Sequence, residues 1–336
     1  MRAAGLLAVT PTQARAILGA MRRVGSLDGA AALTAADRLT LDAAWRHVFD
    51  GAGALAIDAL PATTPAALAA AVPDADTRRH ALAFLAIMAL VDGTVDARKI
   101  ALVVQDAETL GVQPDYLRDL TETVRHHIEW VTLDMMRHNV ESIVGLAWDP
   151  RDPARAFLPY DGPGADPALA ARYDALGALP STTFGQAFWT HYRKNGYAFP
   201  GVPGALSATF ATPHDSTHVL SGYSTSYQGE LLVSTFTAGM HGVNAMSGHI
   251  LPVIYSWHLG IELNPVAGSH RGSFDPEKFW VAWRRGAVVT TDVFGAGWDF
   301  WAVVGEDLDT LRGRYGIPPL EPRYAALGDV LPPRSR

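Results

Sequence analysis

The chain has 336 residues, 49% of them hydrophobic and 18% charged, which is enough apolar side chain for a large buried core and enough length for two domains. Its 34 acidic against 27 basic groups give a net charge of -7, which argues against a nucleic-acid partner. Because there is no cysteine, disulfides, thiolate metal sites and cysteine nucleophiles are excluded, and any bound metal is held by nitrogen and oxygen.

The first 27 residues carry Arg2, Arg15, Arg22 and Arg23 and no acid, a bias shared with transit peptides. The spacing of Ala14, Ile17, Leu18 and Met21 predicts an ordinary amphipathic helix, with a surface-seeking membrane anchor as the lesser reading. Helical spacing continues through Leu39, Leu41, Ala44, Trp45 and Phe49 and is punctuated at Pro61. A longer helical block then runs to about Gly145, with turns at Asp92-Gly93 and Gly111 to Pro114. No run reaches the roughly 18 to 20 apolar residues of a membrane span. The best, Ala81 to Val91, stops at Asp92 and reads as a buried helix.

From Asp149 to Pro180 prolines and glycines crowd together, which marks a linker or an irregular wrap between two domains. Beyond it lie six tryptophans: Trp189, Trp257, Trp280, Trp283, Trp298 and Trp301. Gly185 to Tyr192, Ser247 to Leu263 and Pro276 to Arg285 are patterned as helices, and only Ala287 to Thr291 is ambiguous with a strand. The predicted class is all-α, in two helical domains: 1–148, with a distinct module at about 61–145, and 181–325, joined by 149–180.

The chemistry concentrates in Thr212-Pro-His-Asp-Ser-Thr-His218. Thr212 reads as an N-cap with Pro213 at the first helical position, which puts His214 and His218 one turn apart, about 6 Å along the axis. Two imidazoles so placed can share one ion. Gly222 reads as the helix stop, and Ser224, Thr225 or Ser226 as the cap of a second helix that carries Glu230 back beside the histidines. Asp215 has three readings: ligand, orienter of a histidine, or partner in a capping box with Thr212. The ligand types favour zinc, with iron(II) also suited, and magnesium entering only with a phosphate.

Other residues are weaker candidates. Tyr223 and Tyr227 lie between the ligands in sequence, where their hydroxyls could donate a hydrogen bond to a bound ligand. His258 and Glu262, four apart, are read as a relay or a structural pair. His241 and His249 bracket a segment that would line a cavity, and Phe236, Met240, Met246, Ile254 and Trp257 would line an apolar tunnel or an ordinary core.

The pattern H-D-x-x-H-x11-E, from His214 through His218 to Glu230, resembles the hallmark of the ubiquinone-biosynthesis family called Coq-four. Leu179-Pro-Ser-Thr-Thr-Phe-Gly185, Val219-Leu-Ser-Gly-Tyr223, Gly229-Glu230, Trp283-Arg-Arg-Gly286, Trp298 and Leu311-Arg312 with Gly316-Ile317-Pro318 follow its order over about Ala170 to Pro319. The resemblance implies an all-helical fold and a divalent metal on His214, Asp215, His218 and Glu230. It also implies a polyprenyl lipid or prenylated aromatic acid as ligand, with oxidative decarboxylation at C1 of its ring. A non-catalytic isoprenoid-binding scaffold for a biosynthetic enzyme complex is the alternative. A cytoplasmic protein peripheral to the inner membrane face, able to form a homo-oligomer, is the corresponding expectation. Against the enzyme reading with a zinc-bound water, Asp215 stands where H-E-x-x-H hydrolases have glutamate.

Leu85-Ala-Ile-Met-Ala-Leu-Val-Asp-Gly-Thr-Val-Asp96 resembles the turn of the TerB-like (tellurite-resistance B) helical module. That family has an acidic residue shortly after the turn, where this chain has Arg98 and Lys99, a departure that speaks against a metal there.

Overall fold

The computed structural model describes residues 8–143, 145–263 and 268–328, so Arg2 lies outside the described residues. Every regular element among the described residues is helical, and the only strand-type pairings are two isolated bridges. The N-terminal half comprises α1 (Pro11–Gly25), α2 (Ala35–His47), α3 (Pro65–Ala71), α4 (Ala75–Met88), α5 (Ala97–Leu110), α6 (Tyr116–Val124) and α7 (Ile128–Ser142). Then follow α8 (Pro167–Asp174), α9 (Phe184–Asn195), α10 (Ala208–Ser221), α11 (Tyr227–Met240), α12 (Leu251–Trp257), α13 (Pro276–Ala287), α14 (Phe300–Val303) and α15 (Leu308–Arg314). A π-helical stretch, Ala245–Ile250, runs directly into α12.

Local chemistry starts most of these helices. Thr10 and Thr34 close capping boxes on α1 and α2, and Thr64, Asp74, Asp96, Thr183 and Ser226 each accept a first-turn amide. Gly111, Gly196 and Gly222 end α5, α9 and α10 in the left-handed region, at φ of 67°, 69° and 83°. The apolar face of α1, with Ala14, Ile17, Leu18 and Met21, is buried against α2, α3 and α4 rather than offered to a surface. Ala81 to Val91 is buried apart from half-buried Ala83, with α4 itself ending at Met88.

At Asp92-Gly93 the chain turns with Gly93 at φ 79°. The ammonium of buried Lys99 lies 2.7 Å from Asp92 and 3.5 Å from Asp37. The chain's own cation therefore neutralises this turn.

One hydrophobic core runs through both halves. Helix α2 packs on α13, and Phe84 of α4 meets Trp280 and Trp283 edge-on at 4.7 and 5.7 Å. The Tyr255 and Thr123 hydroxyls pair at 2.7 Å, joining α12 to α6. Helices α11 and α13 touch backbone to backbone, because Gly239 faces Trp283 and Ala287 while Gly286 faces Phe236.

Two open readings are decided. Residues 149–180 follow the irregular wrap: they form α8 and three 3-10 turns, and Tyr173 is buried against Phe188, Phe199 and Trp301. Ala287 to Thr291 makes no strand, because α13 ends at Ala287 and the Thr290 amide donates to the Tyr315 carbonyl across a loop. No helix among the described residues is long and apolar enough to cross a membrane.

Candidate metal centre

Helix α10 carries the two histidines and is anchored at both ends by distant parts of the chain. Its start is Ala208, not Thr212. The Ser207 amide donates to the Phe157 carbonyl at 2.7 Å and the Ala208 amide to the Tyr160 hydroxyl at 3.0 Å, so tertiary acceptors supply what a capping side chain usually does. Pro213 thus lies inside the helix, and the Thr212 hydroxyl pairs with that of Tyr173 at 2.6 Å instead of capping.

At the other end, each of the last carbonyls has a donor. His218 O takes the Gly222 amide, Val219 O and Leu220 O take the Arg312 guanidinium at 2.8 and 3.0 Å, and Ser221 O takes Arg285 at 2.9 Å.

Ser226 caps α11, its Oγ accepting the Gly229 amide at 3.1 Å, and Glu230 follows in the first turn. A Cβ at position 229 would overlap the Ser224 carbonyl, so glycine is what lets the chain fold back tightly enough. This brings donor atoms of His214, His218 and Glu230 within 4.8 Å of one another. His214 Nε2 is 3.4 Å from Glu230 Oε2, and His218 Nε2 is 3.3 Å from Oε1. Donors at about 2.05 Å from a tetrahedral ion stand about 3.4 Å apart, and each histidine meets one Glu230 oxygen at that spacing.

The His218 ring is fully buried, and its Nδ1 donates to the Tyr223 carbonyl at 3.0 Å. In the neutral ring that leaves Nε2 as the lone-pair nitrogen, and the one group it faces is the Glu230 carboxylate. Burial opposes charge on His218, yet Glu230 and then Asp215 outweigh it and push its pKa up to about 8. Glu230 is held well below the usual carboxylate range: burial raises it, but the two histidines more than offset that. With side chains 23% and 17% exposed, His214 and Glu230 form the open face, and His218 the closed one.

Asp215 is not among the converging donors. It is one residue on from His214, so about 100° around the helix, and it faces α9. There it accepts the Tyr192 hydroxyl at 2.5 Å and lies 3.7 Å from His191 Nε2. Burial raises its carboxyl, but the contact with His191 and the charges around it keep it below the ordinary value. Tyr192 is pushed well above its ordinary value by burial and then by Asp215.

His191 stacks on His218 with ring centres 5.3 Å apart, and Phe210 stacks on His214 at 5.4 Å. His191, Tyr192 and Phe210 were missed as site residues. His191-Tyr192 lay in plain view on the helix opened by Leu179 to Gly185, but only the α9–α10 packing shows where they point.

Of the remaining candidates, Tyr223 contributes its carbonyl. Its buried ring turns toward Arg285 and Phe236. Tyr227 is 48% exposed and stacks on His270. His258 and Glu262 do not share a helix, because α12 ends at Trp257 and Gly260 takes φ 69°. His258 Nε2 instead faces the Val91 carbonyl at 3.1 Å, and Glu262 is exposed.

His241 is engaged on both nitrogens, by Asp292 at 2.7 Å and the Ser142 carbonyl at 2.8 Å. Buried His249 packs between His241 and Phe294. Phe236, Met240, Met246, Ile254 and Trp257 are all buried core residues. A cleft of about 380 Å³ lies along the first turns of α10 without them, lined by Thr209, Thr212, Phe294, Trp298, Phe300 and Trp301 among others.

No family model matches the chain, and neither does any curated protein or solved structure.

Proposed function

We propose that the chain holds one divalent metal ion on His214, His218 and Glu230 and uses it to bind and transform a prenylated aromatic acid, the ligand class that its likeness to the Coq-four proteins points to. The observation that carries this reading is His218. Its Nδ1 hydrogen is committed to the Tyr223 carbonyl, so the buried Nε2 lone pair meets the Glu230 carboxylate at 3.3 Å. Two acceptors face each other at that distance only with a cation between them, a proton in the free protein or a metal ion. Two imidazoles and a carboxylate suit zinc first and iron(II) next, and magnesium least.

A divalent ion held there supplies Lewis-acid stabilisation of charge that develops on a bound substrate oxygen. The chain's own residues do the rest. Tyr223 fixes the tautomer of His218, Arg312 and Arg285 hold α10 in place, and the partly exposed side of His214 leaves room for a carboxylate or phenolate ligand. The cleft along α10, with Phe294, Trp298, Phe300 and Trp301 in its lining, offers apolar surface for the hydrocarbon part of such a ligand. The reaction class is decarboxylation of the ring acid in quinone assembly, at a membrane surface and beside other biosynthetic enzymes. The second reading, a scaffold that grips the same lipid without turnover, draws on the ligands coming from two helices, so that an ion would staple α10 to α11.

Metal analysis and mass spectrometry of the retained lipid, on wild type and His218→Ala, test both. The enzyme reading expects wild type to carry a polyprenyl species and release carbon dioxide from a prenylated hydroxybenzoate, and His218→Ala to lose one metal equivalent and all turnover while staying folded. Lipid retention without product by the metal-loaded wild type supports the scaffold. Equal metal content in the two proteins overturns both.

A further inference from the structure

We propose a second divalent-metal site, formed by Asp119, Asp134 and His138 where α6 packs on α7, that takes a transition-metal ion such as zinc or manganese and ties the two helices together. Donor atoms of these three residues lie within 4.8 Å of one another. Asp134 and His138 are four apart on α7, and Asp119 comes from the facing helix, so the local arrangement repeats the logic of the first centre with no residue in common.

Burial without partners is what points to an ion. Asp119 is 0% exposed, and its carboxylate oxygens meet no N–H or hydroxyl donor, only the neighbouring Asp134 carboxylate. His138 is 2% exposed, its Nδ1 is likewise unpartnered, and that atom lies 3.6 Å from Asp134 Oδ2. Buried polar atoms in native proteins are almost always satisfied, and a carboxylate and an imidazole nitrogen left without donors or acceptors in one cluster call for a common partner.

The surroundings fit. Arg137 donates from Nε and Nη2 to Asp134 Oδ1 at 3.0 and 2.8 Å, which leaves Oδ2 free to ligate. With Nδ1 on the ion, His138 Nε2 carries the hydrogen and faces Asp115 Oδ2 at 3.4 Å. The 3.0 Å contact of Arg137 Nη2 with Nε2 then opens, while the arginine keeps Asp134 and Glu141 as acceptors. One imidazole with two carboxylates suits zinc, manganese or iron(II) better than calcium or magnesium, which prefer all-oxygen shells.

With two of the three ligands fully enclosed, the site is structural rather than catalytic. Through α7 it also bears on the π-helical stretch that packs against α11. Asn139 donates to the Gly248 carbonyl at 2.7 Å and Asn244 to the His138 carbonyl at 3.2 Å, which fastens the π-helical stretch to the helix the ion would hold.

The test is zinc titration of the chelator-stripped full chain, followed by calorimetry and metal analysis, with manganese as a second probe. Wild type is expected to bind two equivalents, His218→Ala one, His138→Gln one and the double variant none. A His138→Gln protein with wild-type stoichiometry overturns the second site whatever happens at the first. One equivalent in both wild type and His218→Ala overturns the first and leaves the second standing. Should His138→Gln fail to fold by circular dichroism, Asp119→Asn is read in its place. A folded His218→Ala protein that binds no zinc overturns the proposal with α6 and α7 untouched.

Discussion

Replacing Gly286 with alanine tests the contact on which the site's second helix rests. A Cβ there would overlap the Phe236 carbonyl oxygen and stand 2.8 Å from its carbon and 3.1 Å from its Cα. These are backbone atoms of α11, so no side-chain rotation relieves the clash and the helices must part. Overpacking of a tight contact costs about 1–3 kcal/mol, with rigid partners near the top of that range. Alanine recovers up to about 1 kcal/mol through helix propensity. The net loss is about 2 kcal/mol, or about 3 °C in Tm for a chain of this size.

Urea unfolding of Gly286→Ala against Gly297→Ala is the assay, since a Cβ at position 297 meets nothing within 4 Å and is expected to change stability by less than about 0.5 kcal/mol. Gly239→Ala intrudes on the same crossing from the other side, 2.8 Å from the Ala287 nitrogen. Once one methyl has separated the helices the second finds room, so the double variant is expected to lose at least about 1 kcal/mol less than the two single losses combined. If Gly286→Ala is as stable as Gly297→Ala, or if the two losses add in full, the backbone-contact argument fails.

Burial lowers the His249 pKa to about 3, so its ring stays neutral in the fold, and its contribution to stability is complete above the unfolded value of about 6.5 and lost as pH falls through that window. Metal-free wild type is expected to lose about 1.4 kcal/mol more than His249→Gln between about pH 7.5 and 5.5 in urea midpoints, and parallel slopes would rule this out. Lys99→Met strands the carboxylates of Asp92 and Asp37 without their buried cation and is expected to cost about 3–5 kcal/mol in the same assay, and a change below about 1 kcal/mol would refute it. Arg312→Ala takes the donors from Val219 O and Leu220 O, with an expected loss of about 1–3 kcal/mol and weaker zinc binding at His218. Unchanged zinc affinity would show that α10 needs no such anchor.

What could be read from the sequence was what is decided within a few residues. Gly222 closing α10 and the apolar stripe of α1 are each fixed by neighbours in the chain and stand where the sequence placed them, and Ser226, one of three caps the sequence offered, starts α11. The start of α10 was misread because its first amides are satisfied from Phe157 and Tyr160, about fifty residues upstream, in a stretch whose proline and glycine content looked like a linker. With those acceptors in place the helix begins a turn before Thr212-Pro213, and the strong local start signal there is overruled.

The same distinction divides the site. His214, His218 and Glu230 were legible because one turn of helix and one tight reversal bring them together. Asp215 shares their motif but faces α9, and His191 and Tyr192 share no motif yet lie against it. The second cluster was missed for the same reason: Asp134 and His138 have ligand spacing on α7, but nothing in sequence announces that Asp119 is aimed at them from α6. Spacing along one helix selects residues that can cooperate, and only the packing of the facing helix, α11 for the first cluster and α6 for the second, decides which of them share a ligand.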